Sequence, residues 1–424
     1  MIIPDYFIKK NIKPKISENP SESLSVCVVI PSFNESSLDK SLLSLANCKN
    51  HIGAAEVIVV VNHPENSSVE IIEQSQKSAQ LVEDFNFKYG NSKLNFYTIE
   101  AFELQNKHAG VGLARQIGMD EAAFRLFSIG NPNGIIACFD ADATCADNYL
   151  EELEQLWIQN PDTTACSIRY EHPTSGTEYP AEIYKGIAGY ELHLRCYNQA
   201  SRHIGFPFSY HTIGSSMACS ANTYVKFGGM NRHKAGEDFY FLQKIIPHGN
   251  FRELNTTKII PSPRSSTRVP FGTGRAMLKY LEDIDSGIKT YNLQSFLDLM
   301  PFFAEIDSLW EQDHKAVQVF IKNLPEPISK FLLENDAVLT IQKVKENTAN
   351  LKSFRKRFFL WFDAFLLLKY LNYANEYFYK REPVENEAIK LGKLIGLDLS
   401  NCQSTEKLLE LYREKDLEAW GTKF

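Results

Sequence analysis

Three runs of five consecutive apolar residues, Val26 to Ile30, Val57 to Val61 and Ile135 to Phe139, constrain this chain more than any other feature. They are rich in β-branched residues and show no polar alternation, the pattern of strands buried on both faces. Further strands are predicted over 94–99, 163–170 and 214–221, with an edge strand over 251–260. Between them, helix-period segments occupy about 37–47, 68–85, 110–127 and 147–159. Strands alternating with helices predict an α/β fold, a Rossmann-like, mostly parallel sheet flanked by helices and joined by right-handed crossovers. From residue 277 the character changes. Helix-period segments over 277–291, 294–303, 315–323, 326–333, 338–347, 352–379, 385–395 and 405–420 predict an all-helical C-terminal domain. The expected organisation is therefore a polar lead-in over 1–24, an α/β domain over 25–275 and a helical domain over 276–424.

A chain of 424 residues with 44% hydrophobic and 23% charged residues can bury a sizeable core in each of two domains. Its formal charge of −7 argues against nucleic acid as a partner, since phosphate backbones require a basic face. Eight cysteines without a C-x-x-C pair read as reduced core residues of a cytoplasmic protein. The N-terminus lacks the basic-then-apolar order of a signal peptide, and no window is apolar enough to span a membrane. The segment 354–370, apolar on most sides with a basic start, is expected at the centre of a helical bundle. Its alternative is peripheral docking at the inner face of a membrane.

The third apolar run ends in Asp140-Ala141-Asp142. In open α/β sheets ligands bind at the carboxyl ends of strands, and two carboxylates one residue apart suit Mg²⁺ or Mn²⁺ that also takes nucleotide phosphate oxygens. The competing reading is a solvated strand-to-loop turn. Lys107 and Arg115 flank the start of the 110–127 helix, where backbone N–H groups and the dipole favour phosphate. Gly110 and Gly112 there also permit close helix packing. A Gly-rich turn delivers Glu237 and Asp238 to a helix start, where acids belong for dipole reasons alone but where a carboxylate can also accept a hydroxyl proton. The polar loop 261–275, with Arg264 and Arg268, is a candidate lid over a pyrophosphate or a connection whose arginines face water. The 180–202 helix, with Tyr184, Tyr190, His193, Arg195 and Tyr197, lines an acceptor pocket or forms a packing face.

Taken together, Ile30-Pro31-Ser32-Phe33-Asn34-Glu35, the stretch 109–118 around Gly110, Gly112 and Arg115, Asp140-Ala141-Asp142 and Glu237-Asp238 occur in the order seen in family-2 glycosyltransferases of the GT-A fold. The chain resembles that family over about 25–275. The resemblance implies inverting transfer of a sugar from a nucleotide diphosphate sugar, such as a UDP-sugar or GDP-sugar, to a hydroxyl of a glycan or lipid-linked acceptor, in polysaccharide or glycolipid assembly. It implies that Asp142 holds the metal, that Asp140 contacts ribose or metal, and that Asp238 is the base with Glu237 in support. Pro31, Phe33 and Glu35 would lie against the nucleotide. Two departures stand out. The second strand ends in Asn62 and His63 where the family carries acids near the base, and the strand after the catalytic acids is followed by Pro261-Ser262-Pro263 where many relatives carry a metal-binding histidine. Nucleotidyl transfer and a non-catalytic nucleotide-sugar or glycan-binding scaffold are the alternatives.

Overall fold

The computed structural model describes residues 4–266, 272–400, 402–418 and 420. In chain order these form α1 (Asp5–Lys9), β1 (Leu24–Ser32), α2 (Leu38–Ala46), β2 (Ala54–Pro64), α3 (Val69–Tyr89), β3 (Leu94–Leu104), α4 (Val111–Ser128), β4 (Ile135–Cys138), β5 (Thr144–Cys145) and α5 (Tyr149–Gln159). Then come β6 (Ala165–Tyr170), α6 (Ala181–His203), β7 (Met217–Ser220), α7 (Ala221–Lys226), α8 (Glu237–Ile245), β8 (Phe251–Ile260) and α9 (Thr273–Glu282). A short strand, β9 (Lys289–Thr290), is followed by α10 (Leu293–Leu297), α11 (Met300–Ala304), α12 (Ile306–Glu311), α13 (His314–Lys322), α14 (Glu326–Glu334), α15 (Ala337–Glu346), α16 (Leu351–Trp361) and α17 (Ala364–Tyr377). The chain closes with β10 (Glu382–Pro383), α18 (Val384–Leu394) and α19 (Thr405–Lys415). Packing divides it into two units. One holds the residues up to Pro173 with His211–Ser262 and Gly272; the other holds Thr174–Tyr210, 263–266 and the chain from Thr273 onward.

The first unit is built on an eight-stranded sheet in the order β3-β2-β1-β4-β7-β6-β8-β5. Central β1 pairs in parallel with β2 (Val28 opposite Val57) and with β4 (Val28 opposite Ala137), so the apolar runs lie where no face meets water. The expected α/β class, with a helical C-terminal region, is what the chain forms. Beyond β4 the sheet changes direction. Strand β7 runs antiparallel to β4 and β6, β6 and β8 are parallel, and β5 is antiparallel to β8. Strand β8 is therefore flanked by β6 and β5 rather than free at an edge as expected. Two-residue β5 is too short to leave a periodic signal in the sequence.

One face of the sheet is covered by Leu38, Leu42 and Leu45 of α2 and by Tyr149, Leu153 and Trp157 of α5. Helix α4 packs closely against β1 and β2: a Cβ at Gly118 would run into Val29 Cγ1 and stand 2.9 Å from Val60 Cγ2. The segment before β1 is packed rather than loose. Tyr6 Oη donates to Asp120 Oδ1 (2.6 Å), Lys15 N donates to Glu121 Oε2 (2.8 Å), and Arg125 Nη1 donates to Glu18 O (2.8 Å). Asp120, Glu121 and Arg125 all lie on α4. Arg125 is also paired with buried Glu56 on β2, Nη2 to Oε1 at 2.7 Å.

In the second unit, α6 packs with α9, α18 and α19. Its Glu191 and Arg195 join Arg413 of α19 and Asp416 beyond it in a buried ion-pair network. His193 Nδ1 lies 2.7 Å from Thr290 Oγ1, and the Tyr197 ring meets Phe296 edge-on at 5.8 Å, so these side chains of α6 form a packing face. The expected single helix over 352–379 is two helices. Asp363 accepts from Leu366 N (2.9 Å) and caps α17, ending α16 before it, because a capping carboxylate competes with continued helix. Phe354, Phe358, Phe359 and Phe362 are buried, as expected of a bundle centre. The antiparallel β9–β10 pair is a small departure from an all-helical region. Among the described residues no helix is long and apolar enough to cross a membrane.

Substituting Gly118→Ala forces a methyl into the α4–sheet contact. A loss of about 1–3 kcal/mol in unfolding free energy is expected from such overpacking, measured by urea denaturation.

Candidate active site

After β4, Phe139 N still donates to Val29 O (3.0 Å), so the chain stays in line with β1 until Asp140. A tight turn then closes through Ala143 N to Asp140 O (3.1 Å), and Ser41 Oγ of α2 donates to Ala141 O (2.8 Å). Asp140 and Asp142, on either side of buried Ala141, are both half-buried at this turn.

The organising group is Arg115, in the second turn of α4 and 2% exposed. Its Nη2 donates to Asp140 Oδ1 (3.1 Å), its Nε to Glu237 Oε1 (3.2 Å) and its Nη1 to Gly214 O (2.7 Å). Burial opposes its charge, but Asp140, Glu237 and Asp238, with the Cys138 thiol, outweigh that and hold the guanidinium ionised. The cation expected at a phosphate thus lies inside the protein, bridging the two acidic motifs. Beside it, Gly214 has almost no room: a Cβ would stand 2.9 Å from Arg115 Nη2 and 3.0 Å from Asp238 Oδ2.

Glu237 and Asp238 open α8, with Glu237 buried and Asp238 partly open to solvent. Asp238 Oδ1 accepts from Phe239 N (2.7 Å). Its carboxyl is pushed up to about 7, first by dense packing and then by Glu237, with Arg115 working against the rise and Asp140 adding to it. The loop before α8 is pinned at several points. Asn231 Nδ2 donates to Glu237 O (2.9 Å), Arg232 Nε to Gln116 Oε1 (2.8 Å) and Lys234 Nζ to Asn106 O (2.8 Å). Gly112 is part of the same fit, since a Cβ there would run into the carbonyl oxygen of His233. The close-packing reading of this glycine is the one the geometry bears out.

The other predicted residues lie as follows. Pro31 is buried in β1, Phe33 is half-buried, and Glu35 is buried with Oε1 accepting from Ser37 N (2.9 Å) at the start of α2. Asn62 is buried on β2 and its Nδ2 donates to Ser32 O (3.0 Å), while neighbouring His63 stacks on Phe102 with centroids 4.8 Å apart. Lys107 is exposed on the β3–α4 loop. Arg264 is half-buried and belongs to the second unit, and Arg268 lies outside the described residues. Reasoning from sequence missed the Gly214 carbonyl and Asn231, which position the cluster. Asn231, six residues before Glu237 in the Gly-rich turn, was the one available signal.

Three carboxylates around one guanidinium leave an excess of negative charge. Among the described residues no group of three or more His, Cys, Asp or Glu is arranged to hold a metal ion by itself. Asp140 and Asp142 suit instead a hard cation that brings phosphate oxygens with it, since such ions commonly use one or two carboxylates plus substrate.

An acidic cluster beside the carboxyl end of buried β4 lies where open α/β sheets bind ligands. Residues 27–219 match the family model described as Glycosyl transferase family 2, so that stretch of the chain is similar to the family's domain. Solved structures of S. aureus TarS are similar to it at low levels. TarS 1-349 in complex with UDP-GlcNAc is 15% identical with a TM-score of 0.42, covering 78% of this chain and 90% of that one. TarS 1-349 in complex with UDP is 14% identical with a TM-score of 0.39, covering 88% and 92%. At those scores the overlap places no residue or ligand in this chain. No curated protein matches.

Replacing Arg115 with Met would strand Glu237 and Asp140 without their cation. A destabilisation of about 3–5 kcal/mol is expected, as for other buried pairs that lose one partner, read from denaturant unfolding at pH 8.

Proposed function

We propose that the chain is an inverting glycosyltransferase that moves a sugar from a nucleotide diphosphate sugar to a hydroxyl of a glycan or lipid-linked acceptor, in polysaccharide or glycolipid assembly. The observation that carries this reading is Asp238: a carboxylate partly open to solvent, held beside Arg115 and Glu237, with its pKa pushed up to about 7. A base poised near neutrality is matched to taking a proton from a hydroxyl.

In this reading the acceptor hydroxyl gives its proton to Asp238 as its oxygen bonds to the anomeric carbon. The bond from that carbon to the diphosphate oxygen breaks, and the electron pair leaves with the nucleotide. A single displacement inverts the anomeric centre. Arg115 is a positioning residue: it fixes Asp140 and Glu237, and through them the spacing of donor and base. Asp142 and Asp140 would hold Mg²⁺ or Mn²⁺, which when bound neutralises charge on the diphosphate. Residues 31–35, with Asn62, would lie against the nucleoside, and Lys107 would add positive charge toward the phosphates.

Two experiments test this. With a panel of UDP- and GDP-sugars and Mg²⁺ or Mn²⁺, Asp142→Ala should weaken donor binding, while Asp238→Asn should bind donor and lose roughly 10²–10⁴-fold in kcat. Failure of the native chain to bind any nucleotide sugar would overturn the reading. The second is pH dependence. The base must be ionised, so kcat/KM is expected to fall about tenfold per unit as pH drops below about 7. Stability should move the opposite way. The folded carboxyl binds its proton more tightly than the ordinary 3.8 of an unfolded Asp, so this contribution is full below 3.8 and lost as pH rises through about 7. Asp238→Asn is therefore expected to raise Tm at pH 8, with the gain vanishing below pH 3.8. A merely structural Asp238 would give a lower Tm instead.

A further inference from the structure

The turn that carries Asp142 is followed at once by Cys145, whose Sγ lies 3.9 Å from Cys48 Sγ, the residue two places past the end of α2. The two are far apart in sequence, and their backbones are already joined, with Lys49 N donating to Asp147 O (3.1 Å). Ser44 of α2 contacts both: its Oγ accepts from Cys145 N (3.3 Å), and its carbonyl lies 3.6 Å from Cys48 Sγ. All eight cysteines are free thiols. In the first unit, Cys27, Cys138, Cys166 and Cys219 are at most 1% exposed, whereas Cys48 keeps 7% and Cys145 keeps 8%. Within the first unit, the pair that is close enough to join is also the pair a small reagent reaches first.

The geometry points to Cys48 and Cys145 as a redox modification site, a reversible disulfide that locks the segment 141–147 to the end of α2. Cys48 is the attacking thiol. Its pKa is lowered, first by the Cys145 thiol and, against the effect of burial, by the N–H groups of Leu150 and Tyr149 at the start of α5. The oxidant is a peroxide. The Cys48 thiolate takes one peroxide oxygen to become a sulfenic acid and releases hydroxide; the Cys145 sulfur then bonds to the Cys48 sulfur, and water leaves with the Cys145 proton. The two thiols lose two electrons and the peroxide is reduced to two waters. Closing the gap to the disulfide length of about 2.0 Å draws the segment behind Asp142 toward α2. That this bears on catalysis rests on the reading of Asp142 as a donor-site residue.

The test uses the full chain, hydrogen peroxide, and alkylation after denaturation with peptide mass analysis. Expected is loss of alkylation at Cys48 and Cys145 together, with a cross-linked peptide lighter by two hydrogens that dithiothreitol restores. Neither Cys48→Ser nor Cys145→Ser should form it. Amide hydrogen exchange over 143–147 should slow on oxidation of the native chain and stay unchanged in Cys48→Ser. Two free thiols after peroxide, or Cys48 accumulating as sulfinic acid with Cys145 alkylated, would overturn the site. A cross-link without slower exchange would overturn the lock. Neither readout involves a nucleotide sugar, so this inference and the transferase reading fail separately.

Discussion

The site depends on one buried guanidinium. A cation out of water is costly unless its donors are satisfied by groups that return the lost solvation, and Arg115 meets that condition with a carboxylate from the end of β4, a carboxylate from the start of α8 and the carbonyl of Gly214. Each partner comes from a different part of the sequence. The arginine therefore acts as a register pin, since a shift of β4, α8 or the 214 loop leaves a buried charge exposed to an apolar neighbour. The same helix is held from its other side, where Asp120, Glu121 and Arg125 bind the segment before β1. Helix α4 is thus fixed between the lead-in and the acidic cluster, and Gly118 sets how closely it approaches the sheet.

The change of strand direction at β4 explains why these pieces meet. In the parallel half, successive strands end on one side and the chain must cross back through a helix. Strand β7 is antiparallel to β4, with Met217 opposite Cys138, so the residues entering β7 lie where β4 ends. That places Gly214 beside Asp140 without a long connection. A wholly parallel sheet would have put the end of β7 there instead, and the small residues before it would have faced the opposite rim. The reversal is a requirement of the site as much as a detail of topology.

The apolar runs made the strands legible because a strand buried on both faces must be continuously apolar, and nothing else in the first half has that pattern. Strand β5 and the break between α16 and α17 were not legible: one is two residues long, and the other turns on whether Asp363 caps or points outward, which sequence alone leaves open. At the site, residue types were readable and partners were not. Asp140, Glu237 and Asp238 were singled out as acids at element ends, and the structure brings those three together. Arg115 was singled out for its charge at a helix start, yet α4 is buried on most of its circumference and has no solvated stripe to show which way the arginine faces. Lys107, in the loop just before the same helix, stays exposed.

Charge accounts for the character of Asp238. Three N–H groups of Arg115 go to Glu237, Gly214 and Asp140, and Asp238 feels the field of the guanidinium without a hydrogen bond from it. Dense packing and the neighbouring acids then raise the Asp238 pKa further than the guanidinium lowers it. Had the arginine bonded Asp238 directly, the carboxylate would have been held well below neutrality and would have been a weaker base. The arrangement that assembles the cluster is thus also the one that leaves Asp238 poised near pH 7. The remaining negative charge is what a cation would meet when an anionic donor enters.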